Sequence, residues 1–181
     1  MAETLDASGL EHPVEIIGFH TGCLVGTELS LRHPVMVNSL VLIDAPYFNA
    51  NERAEMLENN SAPPVFTKDI QSMAGIWEMN VASKLEKVPV NRAMENLAEH
   101  LRNGENANLG FAAAFNYDAD RMKNISHPTR VIATQSSMHQ ASLAAAALIP
   151  GATLIERNDI KPPVFERYAQ QISAEILSSL S

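Results

Sequence analysis

Cysteine is nearly missing from this chain of 181 residues: Cys23 stands alone. A lone thiol cannot close an internal disulfide, which points away from a cross-linked secreted design and toward a reducing cytoplasm. Two Asn-x-Ser matches, at Asn59 and Asn124, therefore carry little weight. Basic charge is also scarce. Thirteen Lys and Arg against 21 Asp and Glu leave a net charge of −8, and no Lys/Arg cluster offsets it. That composition argues against a nucleic-acid partner. No apolar run approaches the ~20 residues needed to span a bilayer, so no membrane partner is expected. The first residues lack the basic stretch and apolar run of a signal peptide. Internal repeats and low-complexity tracts are missing too. What remains is ordinary: 46% hydrophobic and 19% charged residues, the balance of a soluble domain long enough to build one core.

The chain is organised around Ile16-Ile17-Gly18-Phe19-His20-Thr21-Gly22-Cys23. An apolar strand, Val14 to Ile17, runs into Gly-x-His-x-Gly, and helical spacing follows from Cys23 to Arg32. This is the layout of a nucleophile elbow, a sharp strand-to-helix turn that lifts one side chain above a sheet. Gly18 and Gly22 flank the raised position, where a Cβ is expected to clash. Gly26 and Ser30 are small enough to let the helix lie close to a sheet. His33-Pro34 stops it.

Ser39 to Ala45 is apolar on both faces, the mark of a buried parallel strand. From Asn49 to about Ser126 helical stretches dominate: Asn51–Asn59, Lys68–Leu85, Asn91–Arg102 and Leu109–Tyr117, separated by Pro63-Pro64, Pro89 and Asn103-Gly104. Thr129 to Thr134 returns to strand, Gln140 to Ile149 is an Ala-rich helix, and Ala152 to Glu156 is the last strand. Pro163 to Leu180 closes as an amphipathic helix with Phe165, Tyr168, Ile172, Ile176 and Leu180 near one stripe. A short helix is expected within Met1 to Leu10. Such alternation implies an α/β domain with parallel strands and right-handed crossovers.

These segments, taken in order, resemble the α/β-hydrolase superfamily along nearly the whole chain. The resemblance rests on the elbow, on Arg32-His33-Pro34 followed by Leu40-Val41-Leu42-Ile43-Asp44-Ala45-Pro46, on His127-Pro128-Thr129-Arg130-Val131-Ile132, and on Ile149-Pro150-Gly151-Ala152. It implies a single domain with its core in residues 1–47 and 127–181 and a helical cap inserted at 48–126. It implies a partial fold, retaining the last four of eight strands, mainly parallel, as in an N-terminally truncated member. It also implies a relative of hydrolases acting on small apolar esters or acyl compounds, without a cofactor.

The residues that resemblance marks as catalytic are altered. The nucleophile position holds His20. The acid position falls on Ser136 or Ser137, and the histidine position on Pro162, with Lys161 before it. Weak or absent activity is the expectation, with a non-catalytic binding or interaction module as the alternative. His20 can itself serve as nucleophile or base, since imidazole does both near neutral pH; equally, it can be a polar residue left at a retired elbow. Thr21 would offer its backbone N–H as an oxyanion donor. His139 and Asp159, on loops at the carboxyl ends of the last two strands, are candidate substitutes, with Asp159 available to orient His20. A metal site from His20, His139 and Asp159 lacks any close ligand spacing, and no metal is expected. Cys23 reads as a small buried residue. Trp77, Phe66, Met73, Met79 and Phe111 are apolar enough either to line a pocket for a small apolar ligand or to form a helical core. The elbow strand, interior in that superfamily, has no strand before it here, so an uncovered strand edge and self-association through it are expected.

Overall fold

The computed structural model describes residues 1–11, 13–60 and 67–178. His12, Pro63-Pro64, Phe66 and Leu180 lie outside the described residues. Two compact units are present, Met1–Arg53 with Tyr117–Ser181, and Ala54–Asn116.

In the first unit the order is α1 (Ala2–Ala7), β1 (Val14–Phe19), α2 (Thr21–Arg32), β2 (Val37–Ile43), β3 (Thr129–Thr134), α7 (His139–Leu148), β4 (Thr153–Arg157) and α8 (Val164–Leu177). The strands form one sheet in the order β1-β2-β3-β4, every pair parallel. This is the partial α/β-hydrolase fold with a helical insertion. β1 lies at one edge and pairs with β2 alone among the described strands. Along it Ile17 is 52% exposed.

The middle strands are apolar on both faces because both faces are covered. Val41, Ile43 and Ile132 join Ile160, Val164 and Ile172 in one buried cluster, with Phe19, Ile155, Tyr168 and Ile176 at its margin. Alternation along a strand turns Leu40, Leu42 and Val131 to the opposite face, and these are also buried. There Gly26 of α2 lies so close to the sheet that a Cβ would meet Ile16 Cγ2 at 2.9 Å and Leu40 Cδ2 at 3.8 Å. The stripe of α8 that reaches the core is Val164, Tyr168, Ile172 and Ile176, with Phe165 exposed beside it. The expected stripe included Phe165. A kink at Tyr168 (φ −126°, ψ 23°) interrupts the helical phase, and Phe165 instead meets the Phe19 ring edge-on at 4.8 Å between centroids.

The helix α3 (Ala50–Asn60) leads out of the first unit. It starts with a reciprocal cap: Asn49 Oδ1 accepts from the N–H groups of Asn51 and Glu52, and Glu52 Oε2 accepts from the Asn49 N–H. The second unit contains α4 (Ala74–Asn80), α5 (Val90–Asn103) and α6 (Leu109–Asn116). The single helix expected over 68–85 is broken. Asp69 caps a 3-10 turn over Ile70–Met73, and a second 3-10 turn covers Ala82–Lys84. Between them the Asn80 amide bonds back to Ile76 O at 2.8 Å, and Val81 leaves helical geometry. Ile76, Val81, Val88, Ala93 and Leu97 form the core of this unit, with Met73 against it. Trp77, Met79 and Phe111 do not belong to that core: they are 46%, 57% and 51% exposed.

The segments beside α3 and the turn Ala119–Asn124 belong to the sheet unit. Tyr47 donates to Asp120 at 2.8 Å, Arg53 lies 3.6 Å from Asp118, and Tyr117 donates to Glu28 at 3.0 Å.

Candidate functional site

Strand register brings the site together. Phe19 lies beside Ile43, and Ile43 beside Ile132, so β1 and β2 end level while β3 runs two residues further, to Thr134. The ladder then continues one residue past β1 and β2. His20 N–H donates to Ile43 O at 3.1 Å, and Asp44 N–H donates to Ile132 O at 2.9 Å. Immediately after those bonds both chains turn sharply. His20 has φ 48° and ψ −121°, and Asp44 has φ 50°. These are the two residues other than glycine with positive φ among those described. Backbone held there costs about 1–3 kcal/mol per residue, and such strain concentrates at functional sites.

Close packing explains one elbow glycine and not the other. A Cβ on Gly18 would sit 2.7 Å from Cys23 N, Cys23 Cα and Gly22 C, all backbone atoms. A Cβ on Gly22 would meet nothing within 4 Å. The expected clash at Gly22 is therefore corrected: the inner side of the turn is tight, and the outer side is open. Thr21 begins α2 and is exposed. Its N–H is one of the four that a helix start leaves without an intrahelical acceptor. The His20 carbonyl accepts from Cys23 N–H at 2.9 Å.

The imidazole of His20 is 46% exposed and stacks on Phe19, with ring centroids 4.0 Å apart. Its Nε2 lies 3.9 Å from Asp44 Oδ2. Asp44 is fully buried, and both its oxygens are held. Oδ1 accepts from Thr134 N–H at 2.8 Å, and Oδ2 accepts from the Thr134 hydroxyl at 2.7 Å. Burial by itself pushes the Asp44 carboxyl up. The nearby His20 imidazole, the two hydrogen bonds from Thr134 and the nearby Ser136 side chain together outweigh burial and hold it below the ordinary carboxylate value.

The structure spreads the other predicted residues around this pair. Ser136 adds a smaller downward pull on the Asp44 carboxyl, and its Oγ accepts from Met138 N–H at 3.1 Å. Ser137 lines a cleft of 380 Å³ with Tyr47, Phe48, Glu52, Gln140 and Ala144, and Asn49 and Ala141 complete it. Pro162 is exposed in the β4–α8 turn. His139 opens α7; its Nδ1 is 2.9 Å from Thr134 O, and its Nε2 is 3.5 Å from Glu156 Oε2. Asp159 is not paired with His20. Both its oxygens are taken by Arg157, at 2.8 and 2.7 Å, and Arg157 reaches on to Glu175 of α8 at 2.6 Å. That guanidinium pulls the Asp159 carboxyl down to about 2. Cys23 is fully buried; its thiol donates to Ile43 O at 3.3 Å, and burial pushes its pKa far above the ordinary thiol value. A thiol held protonated in this way is a packing residue.

Asp44 and Thr134 are the residues that sequence reasoning passed over. A signal was there. Asp44 directly follows four residues that are buried on both faces, and a carboxylate at such a place must be partnered or displaced. Among the described residues no group of three His, Cys, Asp or Glu is placed to hold a metal ion. Nor, among them, is any helix long and apolar enough to cross a membrane.

No family model matches this chain, and no curated protein does. Solved structures do. A hydrolase from Pseudomonas aeruginosa PA01 superposes with a TM-score of 0.75 at 24% identity, over 99% of this chain and 69% of that one. Est816, an N-acyl homoserine lactone degrading enzyme, gives 0.66 at 21%, over 99% and 71%. A bromoperoxidase from Bacillus anthracis gives 0.73 at 14%, again over 99% and 71%. The likeness is one of fold. One is named only as a hydrolase, one as a lactone-degrading enzyme and one as a bromoperoxidase, so fold alone selects no substrate.

Proposed function

We propose that this chain is a hydrolase-like protein, one domain with its core in 1–47 and 127–181 and a cap in 48–126, whose remaining chemistry is slow acyl transfer from small apolar esters to water at His20. The observation that carries this reading is the strained, half-exposed His20 with Asp44 3.9 Å behind its Nε2. A carboxylate on that side favours the tautomer with its proton on Nε2 and leaves the Nδ1 lone pair for the substrate. Nδ1 would attack the acyl carbon, forming a C–N bond while the carbonyl π pair moves to oxygen. Thr21 N–H would donate to that oxyanion. The pair would return as the ester C–O bond breaks, and the alkoxide would leave, taking a proton from water. The hydroxide left by that proton transfer would attack the acyl-imidazolium and break its C–N bond, giving the acid and neutral His20.

The reaction should be slow. A triad needs a base to take the nucleophile's proton and a carboxylate to orient that base. Ser136, Ser137 and Pro162 supply neither at the matched positions, so one histidine does all the work. No cofactor or metal enters, and a reducing cytoplasm suits the lone Cys23. The second reading is a non-catalytic ligand-binding or interaction module. It is favoured by the 380 Å³ cleft, which reaches Ser137 without including His20.

A panel of p-nitrophenyl esters separates them. Slow turnover, well under the ordinary ~1–10³ s⁻¹, that falls to the buffer rate in His20→Ala supports the first reading. A rate unchanged in His20→Ala leaves the second.

A further inference from the structure

Two residues of the site, His20 and Asp44, project from turns that are each strained, and a free carboxylate rotates about its χ2 unless both oxygens are held. Thr134 holds both. Its N–H binds Oδ1 at 2.8 Å and its hydroxyl binds Oδ2 at 2.7 Å. Thr134 is the last residue of β3 and is fully buried, so water cannot replace those bonds at low cost. The third polar group of Thr134, its carbonyl, is bound in turn by His139 Nδ1 at 2.9 Å, and the far side of that ring faces Glu156 at 3.5 Å. A line of contacts thus runs from Glu156 through His139, Thr134 and Asp44 to His20.

We propose that Thr134 is the positioning residue of the site, fixing the Asp44 carboxylate in the plane that presents Oδ2 to His20 Nε2, with His139 locking Thr134 in place. Thr134 touches no substrate; it acts through Asp44. This rests on the reading that the His20–Asp44 pair is the reactive centre, and it assigns His139 to support rather than to chemistry. The hydroxyl matters because it reaches the same oxygen that faces the imidazole. Removing it frees Oδ2 to swing while Oδ1 stays tethered. The groups acting on Asp44 are His20 on the elbow, Cys23 on α2, Thr134 at the end of β3 and Ser136 just past it. Among these only His20 and Cys23 titrate, and burial keeps the Cys23 thiol protonated.

The test replaces Thr134 by Val, which keeps the shape and the N–H, and by Ser, which restores the hydroxyl. Two readouts need no activity. One is the titration of the Asp44 carboxyl followed by carbon-13 NMR; the other is the His20 tautomer read from its ring nitrogen-15 shifts. Thr134→Val should raise the Asp44 midpoint by about one pH unit or more and shift His20 away from the Nε2–H tautomer. Thr134→Ser should return both. In ester hydrolysis, Thr134→Val should lower kcat about tenfold at constant KM. A folded Thr134→Val protein with wild-type Asp44 titration and wild-type His20 tautomer overturns the proposal. Loss of the His20→Ala effect on ester hydrolysis, with the NMR shifts intact, overturns the proposed chemistry and leaves the positioning role standing.

Discussion

Replacing Asp44 by Ala should be among the most damaging single changes the sheet unit can suffer. The carboxylate has no solvent exposure, so its removal exposes nothing new to water and leaves its partners stranded. Thr134 N–H and the Thr134 hydroxyl both lose their acceptor. Each buried unsatisfied donor costs roughly 1–3 kcal/mol, and mutations that break a buried charged network commonly cost ~3–5 kcal/mol in total. Against a typical stability of 5–15 kcal/mol, such a loss lowers Tm by roughly 10 °C. Asp44→Asn keeps the shape and one acceptor, and should lose less, about 1.5–3 kcal/mol. The pH dependence supplies an independent arm. The folded pKa of Asp44 lies below its unfolded value, so the stabilisation is complete above about pH 4 and fades as pH falls through the folded value. Urea titrations followed by circular dichroism between pH 2 and 7 measure it. The wild type should lose stability on the acid side more steeply than Asp44→Asn, whose amide does not titrate. A loss under ~1 kcal/mol in Asp44→Ala, or acid limbs of equal slope in wild type and Asp44→Asn, would refute the reasoning.

Three further outcomes can be checked with the same preparations. Gly18→Ala should cost about 2–4 kcal/mol, because its Cβ meets backbone at 2.7 Å, while Gly22→Ala should be neutral or stabilising by up to ~1 kcal/mol in thermal melts. His20→Ser alone should show no burst of p-nitrophenol, since a serine hydroxyl there has no imidazole to take its proton; a clear burst would reveal a base elsewhere. This chain should self-associate through the β1 edge, where one row of backbone N–H and C=O groups lacks a partner strand among those described. Size exclusion with light scattering across concentrations should show mass rising with concentration, and a constant monomer mass contradicts the expectation.

The layered fold was legible because burial on two faces and short strand–helix alternation leave strong marks. Leu40 to Ile43 reads as a buried strand from its letters alone, and it is one. Thr129 to Thr134 keeps the bounds that its β-branched residues imply. Helical spacing located α5 but missed the breaks around α4, because those come from single polar side chains, Asp69 and Asn80, competing for backbone groups. The site was legible only where strain has a sequence signature. Gly18 marked the elbow, and His20 took the positive φ that the spacing required. Its partner was not legible, for a geometric reason. The family resemblance puts the acid just after β3, at Ser136 or Ser137. Parallel register instead sets the end of β2 directly beside the end of β1, so the residue after Ile43 lies nearer to His20 along the ladder than anything after β3. The substitutions at Ser136 and Ser137 therefore do not by themselves leave the elbow without a carboxylate. The serine at 136 instead favours the ionised form of one that comes from the neighbouring strand and is held by Thr134. Whether Asp44 does for an imidazole what it cannot do for a serine follows from protonation. His20 needs only a carboxylate to fix its tautomer, whereas a serine at the same place needs both that carboxylate and an intervening base.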